Sequence, residues 1–195
     1  MRALIWGVAG AAAIAIASMS SGQIAPVKSI KPLKPTPRFT PKVTPTLRPV
    51  GCRVDPAITS VTLAKSAVPL QVKVTYTVAN RGSSAWRSAP NQQNITLTTR
   101  NANTGRTFTD TQRLPAAAAA GAEMLTFSTP WIDNAFDSFE FAGSLDLRIG
   151  YDPDILLDSN PCNDDANSAN NSFHLDNGQL LGFMKGSART QTFRP

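Results

Sequence analysis

The feature that most constrains the fold is a strict alternation of apolar and polar residues along one short stretch. The apolar positions are Leu70, Val72, Val74, Tyr76 and Val78, and the polar positions are Gln71, Lys73, Thr75 and Thr77. Successive side chains of a strand point to opposite faces of a sheet, so this period puts the whole apolar set on one face. The stretch therefore predicts a half-buried antiparallel strand.

Similar patterns and the turn residues between them predict further strands. Together the predicted strands cover 57–64, 70–79, 94–100, 106–112, 122–128, 143–151 and 171–177. Seven short strands separated by turn signals are typical of an immunoglobulin-like β-sandwich, so we predict one all-β domain over 51–184. The alanine run 116–120 is too short for an independent helix and lies between a proline and a glycine, so we predict a loop there. Residues 185–195 are predicted to form a flexible tail.

Residues 1–22 are predicted to be a secretory signal peptide. Met1 and Arg2 precede an apolar run, Ala3–Ala17, and small residues follow that run. The run is shorter than the roughly 20 residues that a membrane-spanning helix needs. We expect cleavage between Ala17 and Gln23, with an uncleaved anchor as the alternative. Export would place the domain in the periplasm, at the cell surface or outside the cell.

Residues 23–50 are predicted to be a disordered, basic linker. Pro26–Val50 contains seven prolines and six Lys or Arg residues, with no acidic residue. Proline removes backbone donors and favours extended conformations. From Gly51 onward the chain has 12 basic and 13 acidic residues, so the net charge of +6 belongs to the amino-terminal segment. Such a linker can contact an anionic envelope surface, although a solvated spacer is the simpler interpretation. Nucleic acid is not an expected partner, because aromatic residues are not interleaved with these charges.

The chain has two cysteines, Cys52 and Cys162. In an oxidising compartment an even pair most simply forms one bridge, so we predict a disulfide between them. Free or intermolecular thiols are the alternative.

An acidic, asparagine-rich segment surrounds Cys162. Its aspartates are Asp152, Asp154, Asp158, Asp164 and Asp165. Asp and Asn side chains bond to nearby backbone groups, so a solvated turn is the preferred interpretation. The same oxygens also suit calcium, but the EF-hand spacing is absent. We therefore predict no cofactor and keep calcium as the open alternative.

Four aromatic residues lie between Thr129 and Gly143, and they are Trp131, Phe136, Phe139 and Phe141. Exposed aromatic side chains anchor ligands and partner proteins, so Trp131, Phe136 and Phe139 are the candidate ligand contacts. The alternative is that these side chains close one end of the core.

Nothing in the sequence predicts catalysis. The single histidine, His174, falls in the last predicted strand, and the chain contains no nucleophile elbow, HExxH pair or CxxC pair. We expect a non-enzymatic protein. A small hydrolase is the less favoured alternative, and it would require His174 to meet an Asp and a Ser in a cleft.

Three segments together resemble a CARDB domain, the cell-adhesion-related domain found in bacteria. They are YTVANRGSSAW at Tyr76–Trp86, the alanine and glycine stretch before Met124–Phe127, and the acidic segment Tyr151–Asn171. The resemblance covers about Ala57–Phe173 and implies an Ig-like sandwich without catalytic residues. This chain departs from the family in the inserted PCNDDANSA and in having one domain rather than several.

From this resemblance we expect an exported bacterial binding or structural module that acts in adhesion or protein interaction at the cell envelope. Its partner would be a protein or an envelope polymer. The alternative is a carbohydrate- or calcium-dependent binding module.

Overall fold

The computed structural model describes residues 52–151, 155 and 157–195. The predicted signal peptide and linker, together with Asp152 and Asp154, lie outside these residues. The strands are β1 Pro56–Lys65, β2 Val72–Asn80, β3 Trp86–Arg87, β4 Gln93–Asn101, β5 Thr107–Arg113, β6 Ala117–Ala118, β7 Glu123–Ser128, β8 Gly143–Tyr151, β9 Ser172–Leu175 and β10 Thr190–Phe193. The described residues also include one α-helix, α1, at Asn177–Lys185, and a short 3₁₀ helix at Ser168–Asn170. The all-β prediction is confirmed, and each of the seven predicted strands agrees with an observed one within two residues at either end.

Two four-stranded antiparallel sheets form the body of the domain. The first has the strand order β10-β1-β2-β7 and the second has the order β5-β4-β8-β9. The alternating residues behave as predicted, since Val72, Val74, Tyr76 and Val78 of β2 are fully buried. They join Leu145 and its inward-facing neighbours on β8 in one hydrophobic core, so residues of both sheets share a single apolar interior.

A small two-stranded sheet, β3 with β6, closes one side of the core. Trp86 is fully buried, and its indole N–H donates to the Pro115 carbonyl at 3.1 Å. The alanine run is not helical, as predicted, but Ala117 and Ala118 pair with Arg87 and Trp86 as strand β6 where a loop was predicted. A buried indole with a satisfied N–H is a strong local anchor.

The outward faces of both sheets present paired hydroxyl groups. Four cross-strand pairs have oxygen–oxygen distances of 2.7 to 3.1 Å, and they are Thr62–Thr192, Thr75–Ser128, Thr77–Thr126 and Thr96–Thr111. Threonine fits the pleated surface, and such pairs stabilise neighbouring strands. The many threonines of this chain are therefore explained by the sheets themselves.

The predicted flexible tail at 185–195 is wrong for Thr190–Phe193, which pair with β1 as strand β10. Helix α1 carries the chain across from the second sheet to the first. Asp176 begins it with a capping box, and the side chains Leu180 and Phe183 are buried against the core. Lys65 then donates to the carbonyls of Phe183 and Gly186, at the end of the helix. Four mostly polar residues give too weak a pattern to predict this edge strand.

The predicted disulfide between Cys52 and Cys162 is confirmed. The two Cα atoms lie 5.1 Å apart, and the residues are 110 positions apart in sequence. The bridge ties the point where the chain enters the domain to the acidic loop between β8 and β9.

Shortening the chain tests the contribution of β10. Deleting residues 190–195 should lower the free energy of unfolding by about 2 kcal/mol, because β1 loses its edge partner and Phe193 loses its packing. Urea unfolding measures this change. Deleting only Arg194 and Pro195, which lie beyond the strand, is the matched control and should have no effect. Equal losses in both truncations would contradict the assignment.

Replacing both cysteines tests the disulfide. Cys52→Ser with Cys162→Ser should lower the free energy of unfolding by up to about 5 kcal/mol, because the unfolded chain regains the freedom that the bridge removes. Urea unfolding of the variant should then match that of the reduced wild-type protein. A wild-type protein whose unfolding midpoint does not respond to reductant would refute this prediction.

Candidate functional site

The loop from Thr129 to Ala142 connects β7 of the first sheet to β8 of the second, and its first half is anchored in the core. Ile132 exchanges two backbone hydrogen bonds with Val72, at 2.8 and 3.1 Å, and so extends the pairing along β2. Ala135 and Phe136 are buried, Phe136 completely. The prediction of Phe136 as a ligand contact is therefore wrong, because its ring fills the end of the core instead.

A buried carboxylate shapes the second half of this loop. Asp137 accepts hydrogen bonds from the backbone N–H groups of Ser138 at 2.6 Å and Phe139 at 2.8 Å. Its other oxygen accepts from the side-chain amide of Asn103 at 2.9 Å. These donors, with the Phe139 N–H first among them, hold the pKa of Asp137 below its ordinary value. The carboxylate thus fixes the turn in its ionised form.

The loop is also tied to its neighbours on both sides. Asn101, at the end of β4, donates to the Asn134 carbonyl at 3.2 Å. Asn177, the first residue of α1, accepts from the N–H groups of Ala142 and Gly143 at 2.6 and 3.4 Å. Gly143 has a φ of 129°, and a Cβ there would lie 1.8 Å from the Arg100 carbonyl oxygen, so only glycine fits. The conformation of the loop is fixed before any ligand arrives.

This fixed turn presents two phenylalanine rings to solvent. Phe139 is 76% exposed and Phe141 is 57% exposed. An exposed large apolar side chain normally has little to hold it in place, whereas here the backbone is bonded on one side to the buried Asp137 and on the other to the half-buried Asn177. Rigid, exposed aromatic residues are typical of surfaces that bind a partner. We call residues 137–142 with these two rings the Phe turn.

Two adjoining clefts flank the Phe turn. One has a volume of about 260 Å³, and its lining residues are Arg100, Ala102, Phe141, Gly143, Ser144 and Asn177. The other has a volume of about 310 Å³, and its lining residues are Ala102, Asn103, Asp137, Phe139, Glu140 and Phe141. Ala102 and Phe141 belong to both, so the Phe141 ring stands between the two clefts. Polar side chains beside an aromatic ring give such a surface the means to orient a ligand.

The third predicted contact, Trp131, lies in the same loop but does not line either cleft. It is 40% exposed, and the ammonium group of Lys73 lies 4.7 Å from the centre of its ring. The structure therefore brings Phe139 together with Phe141 and not with Trp131. The sequence signal for this pair is only the closeness of the two rings along the chain, on either side of Glu140.

The described part of the acidic loop is built from turns closed by its own side chains. Asp158 accepts from the Asn160 N–H at 2.8 Å, and Asn160 accepts from the Cys162 N–H at 3.1 Å. Asp165 and Asn167 repeat the same two-residue pattern further along the loop. This agrees with the predicted turn interpretation. Within 52–151, 155 and 157–195, no three His, Cys, Asp or Glu side chains gather as a metal centre.

His174 lies on the outward face of the second sheet. Its Nδ1 atom is 2.7 Å from the Asp146 carboxylate, and both side chains are more than half exposed. The two residues are directly opposite each other on β9 and β8, so the strand register accounts for the contact. His174 does not line either cleft beside the Phe turn. Among the described residues, no helix is long and apolar enough to cross a bilayer.

Titration of Asp137 tests how the Phe turn is held. Because the pKa of Asp137 is lowered from 3.8, its stabilising bonds are fully present above that pH and are lost as the pH falls through the lowered pKa. In NMR spectra, the amide signals of Ser138 and Phe139 should shift with a midpoint below 3.8. Asp137→Asn should abolish this transition, whereas Asp133→Asn, in the same loop, should leave it unchanged. A midpoint at or above the ordinary value would contradict the proposed bonds.

Comparison with known proteins yielded no match. No family model fits the chain, and no curated protein or solved structure is significantly similar to it. The resemblance to CARDB domains stays an expectation drawn from the sequence segments, and the function has to be argued from the chain's own residues.

Proposed function

We propose that this protein is an exported, non-enzymatic binding module with an Ig-like, CARDB-like sandwich, and that it attaches to a protein at the bacterial cell envelope through the Phe turn. The observation that carries the proposal is the pair Phe139 and Phe141, exposed on a turn that the buried Asp137 fixes. A rigid aromatic pair loses little conformational freedom on binding, so most of its apolar contact contributes to affinity.

The position of the Phe turn supports this function. Strands β4 and β8 run side by side through the second sheet. At one end of this strand pair Asn101 lies opposite Gly143, and at the other end Gln93 lies opposite Tyr151. The Phe turn lies at the Gly143 end. The Cys52–Cys162 bridge lies at the opposite end, where the Cys162 carbonyl accepts from the Arg87 N–H at 3.0 Å. The chain therefore enters the domain at one end and presents its aromatic rings at the other, as an adhesive module requires.

The compartment follows from the disulfide and the amino-terminal sequence. A bridge over 110 positions is typical of proteins that fold in an oxidising environment. The predicted signal peptide at 1–22 accounts for export. The predicted basic linker at 23–50 adds a weak, salt-sensitive attraction to anionic envelope surfaces, which concentrates the module near its partner without selecting that partner.

A carbohydrate-binding function is the second candidate. The clefts on either side of Phe141 are favourable for it, because amide, carboxylate and guanidinium groups from Asn103, Glu140 and Arg100 stand beside an aromatic ring. Such groups supply directional hydrogen bonds to the hydroxyl groups of a sugar. An envelope polysaccharide would then be the ligand in place of a protein.

Binding to envelope fractions of the producing bacterium tests the proposal. Phe139→Ala with Phe141→Ala should reduce sedimentation with these fractions at least tenfold. Truncation of a central aromatic anchor usually weakens binding by more than tenfold, and this variant removes two. Leu157→Ala is the matched control, since Leu157 is equally exposed on the acidic loop at the other end of the domain. It should leave binding unchanged.

Treatment of the fractions with protease separates the two candidates. Loss of binding after proteolysis supports a protein partner, and binding that survives proteolysis but is lost after glycan digestion supports the carbohydrate alternative. Undiminished binding by the double Phe variant would overturn both, because each assigns the contact to the Phe turn.

A further inference from the structure

The edge strands of the two large sheets are β10, β7, β5 and β9. An edge strand has unpaired backbone N–H and C=O groups to which a further strand can add, and native sheets block such edges with short strands, bulges or prolines. Three of the four edges are blocked in this way. Strands β9 and β10 have four residues each, and β7 has a register shift against β2 and is followed closely by Pro130.

Strand β5, Thr107–Arg113, has none of these features. It is seven residues long, pairs with β4 without a register shift, and contains neither proline nor lysine. Its outward side chains are exposed, and three of the four are threonines, which favour pairing between strands. Within the residues that the structure describes, no strand pairs with the second edge of β5. This edge is therefore long, regular and open.

The hydrogen bonds to β4 determine which backbone groups of β5 are free. The Leu114 N–H donates to the Gln93 carbonyl at 3.1 Å, and the Asn101 N–H donates to the Arg106 carbonyl at 2.9 Å. Hydrogen-bonded pairs alternate with non-hydrogen-bonded pairs along an antiparallel ladder, so the even-numbered residues of β5 bond to β4. The N–H and C=O groups that point to the open edge are those of the odd-numbered residues, Thr107, Thr109, Thr111 and Arg113.

We propose that two copies of this protein pair through β5, antiparallel about a twofold axis at Thr111, so that their second sheets form one continuous sheet. The three registers that keep most of the strand paired are centred on Thr109, Asp110 or Thr111. Centring on Thr109 places Phe108 opposite Asp110, an apolar ring against a carboxylate. Centring on Asp110 places the two Asp110 carboxylates directly opposite each other. Neither arrangement is favourable.

Centring on Thr111 gives complementary partners on the inner face. Asp110 lies opposite the second copy's Gln112, and the two groups already bond within one copy, where the Gln112 amide nitrogen donates to the Asp110 carboxylate at 2.8 Å. Phe108, which is half-buried against the core, lies opposite the second copy's Leu114, an apolar residue. This register also supplies about six backbone hydrogen bonds between the copies, two for each hydrogen-bonded pair. The side chains of β5 therefore select both the partner and the register.

The oligomeric state of the mature protein tests the proposal. Sedimentation equilibrium between about 1 and 500 µM should show a reversible monomer–dimer equilibrium, because one strand edge gives an interface at the small end of the size range. A protein that stays monomeric over this whole range would overturn the proposal.

Blocking the edge shows whether β5 forms the dimer. Thr111→Pro removes an N–H that points away from β4, so it should weaken dimerisation more than tenfold while the monomer keeps its fold. Thr126→Pro is the matched control, because Thr126 lies at an equivalent non-hydrogen-bonded position on the edge strand β7 and should leave dimerisation unchanged. Near-ultraviolet circular dichroism checks the fold of both variants. Thr111→Lys, which sets like charges against each other at the axis without removing an N–H, should weaken dimerisation about fivefold. Dimerisation that survives both substitutions of Thr111 would refute the assignment.

Cross-linking tests the register. The Cα atoms of a hydrogen-bonded antiparallel pair are about 5.5 Å apart, which is within the range of a disulfide. Thr111→Cys should therefore give a covalent dimer under mild oxidation, seen on a non-reducing gel. Thr109→Cys should not, because the two copies of that position are about 14 Å apart along the strands. A covalent dimer of the Thr109 variant alone, or of neither variant, would contradict the proposed axis.

Discussion

Burial of the alternating apolar faces of the two sheets is the constraint on which the remaining structure depends. The inward residues of β2 and β8, from Val72 to Val78 and from Leu145 to Ile149, meet in one interior. Two sheets cover the faces of such a core but leave its ends and sides open to water. In this chain separate side chains close those openings, namely Trp86 beside the small sheet, Phe136 from the loop before β8, and Phe183 from helix α1. Each is almost completely buried, and each belongs to a segment that would otherwise have little reason to fold.

The need to close the core explains why the loop before β8 has one buried and one exposed part. Phe136 has to enter the core, while Phe139 is only three residues further on and faces solvent. A reversal over so short a distance needs a turn, and the buried Asp137 provides it by accepting the next two backbone N–H groups. The polar group that makes the turn also prevents the exposed rings from collapsing onto the core. Asp137 therefore contributes both to closing the core with Phe136 and to exposing the two rings of the Phe turn.

Much of this structure is predictable from sequence, but for reasons that differ between elements. Strands β2 and β8 follow from long alternation, because their inward and outward environments differ strongly over nine residues each. The disulfide follows from having two cysteines in a chain whose amino-terminal sequence predicts export. Strand β10 does not follow, because its four residues gain order from the edge of β1 and not from any pattern of their own.

The candidate site is less accessible to such reasoning. That Phe136 is buried and Phe139 exposed depends on the hydrogen bonds of Asp137 to the backbone and to Asn103, which is 34 positions away in sequence. The unpaired oxygen of Asn163 is likewise invisible without coordinates, because the sequence shows an abundance of Asp and Asn but not which atoms are left unsatisfied. Composition indicates turns there, in agreement with the bonds that Asp158 and Asp165 accept from backbone N–H groups two residues further on.

The placement of these features at opposite ends of the sandwich has a mechanical consequence. Strands β4 and β8, nine residues each, separate the Phe turn from the disulfide and the acidic loop by about 30 Å. A force applied between a partner at the Phe turn and the chain entering at Cys52 runs along these strands. The Cys52–Cys162 bridge lies at the end where the force leaves the domain. In the first sheet, β1 is the first strand after Cys52, and it pairs with β10 along one edge and with β2 along the other. The first strand after the disulfide is therefore held by backbone hydrogen bonds along both of its edges.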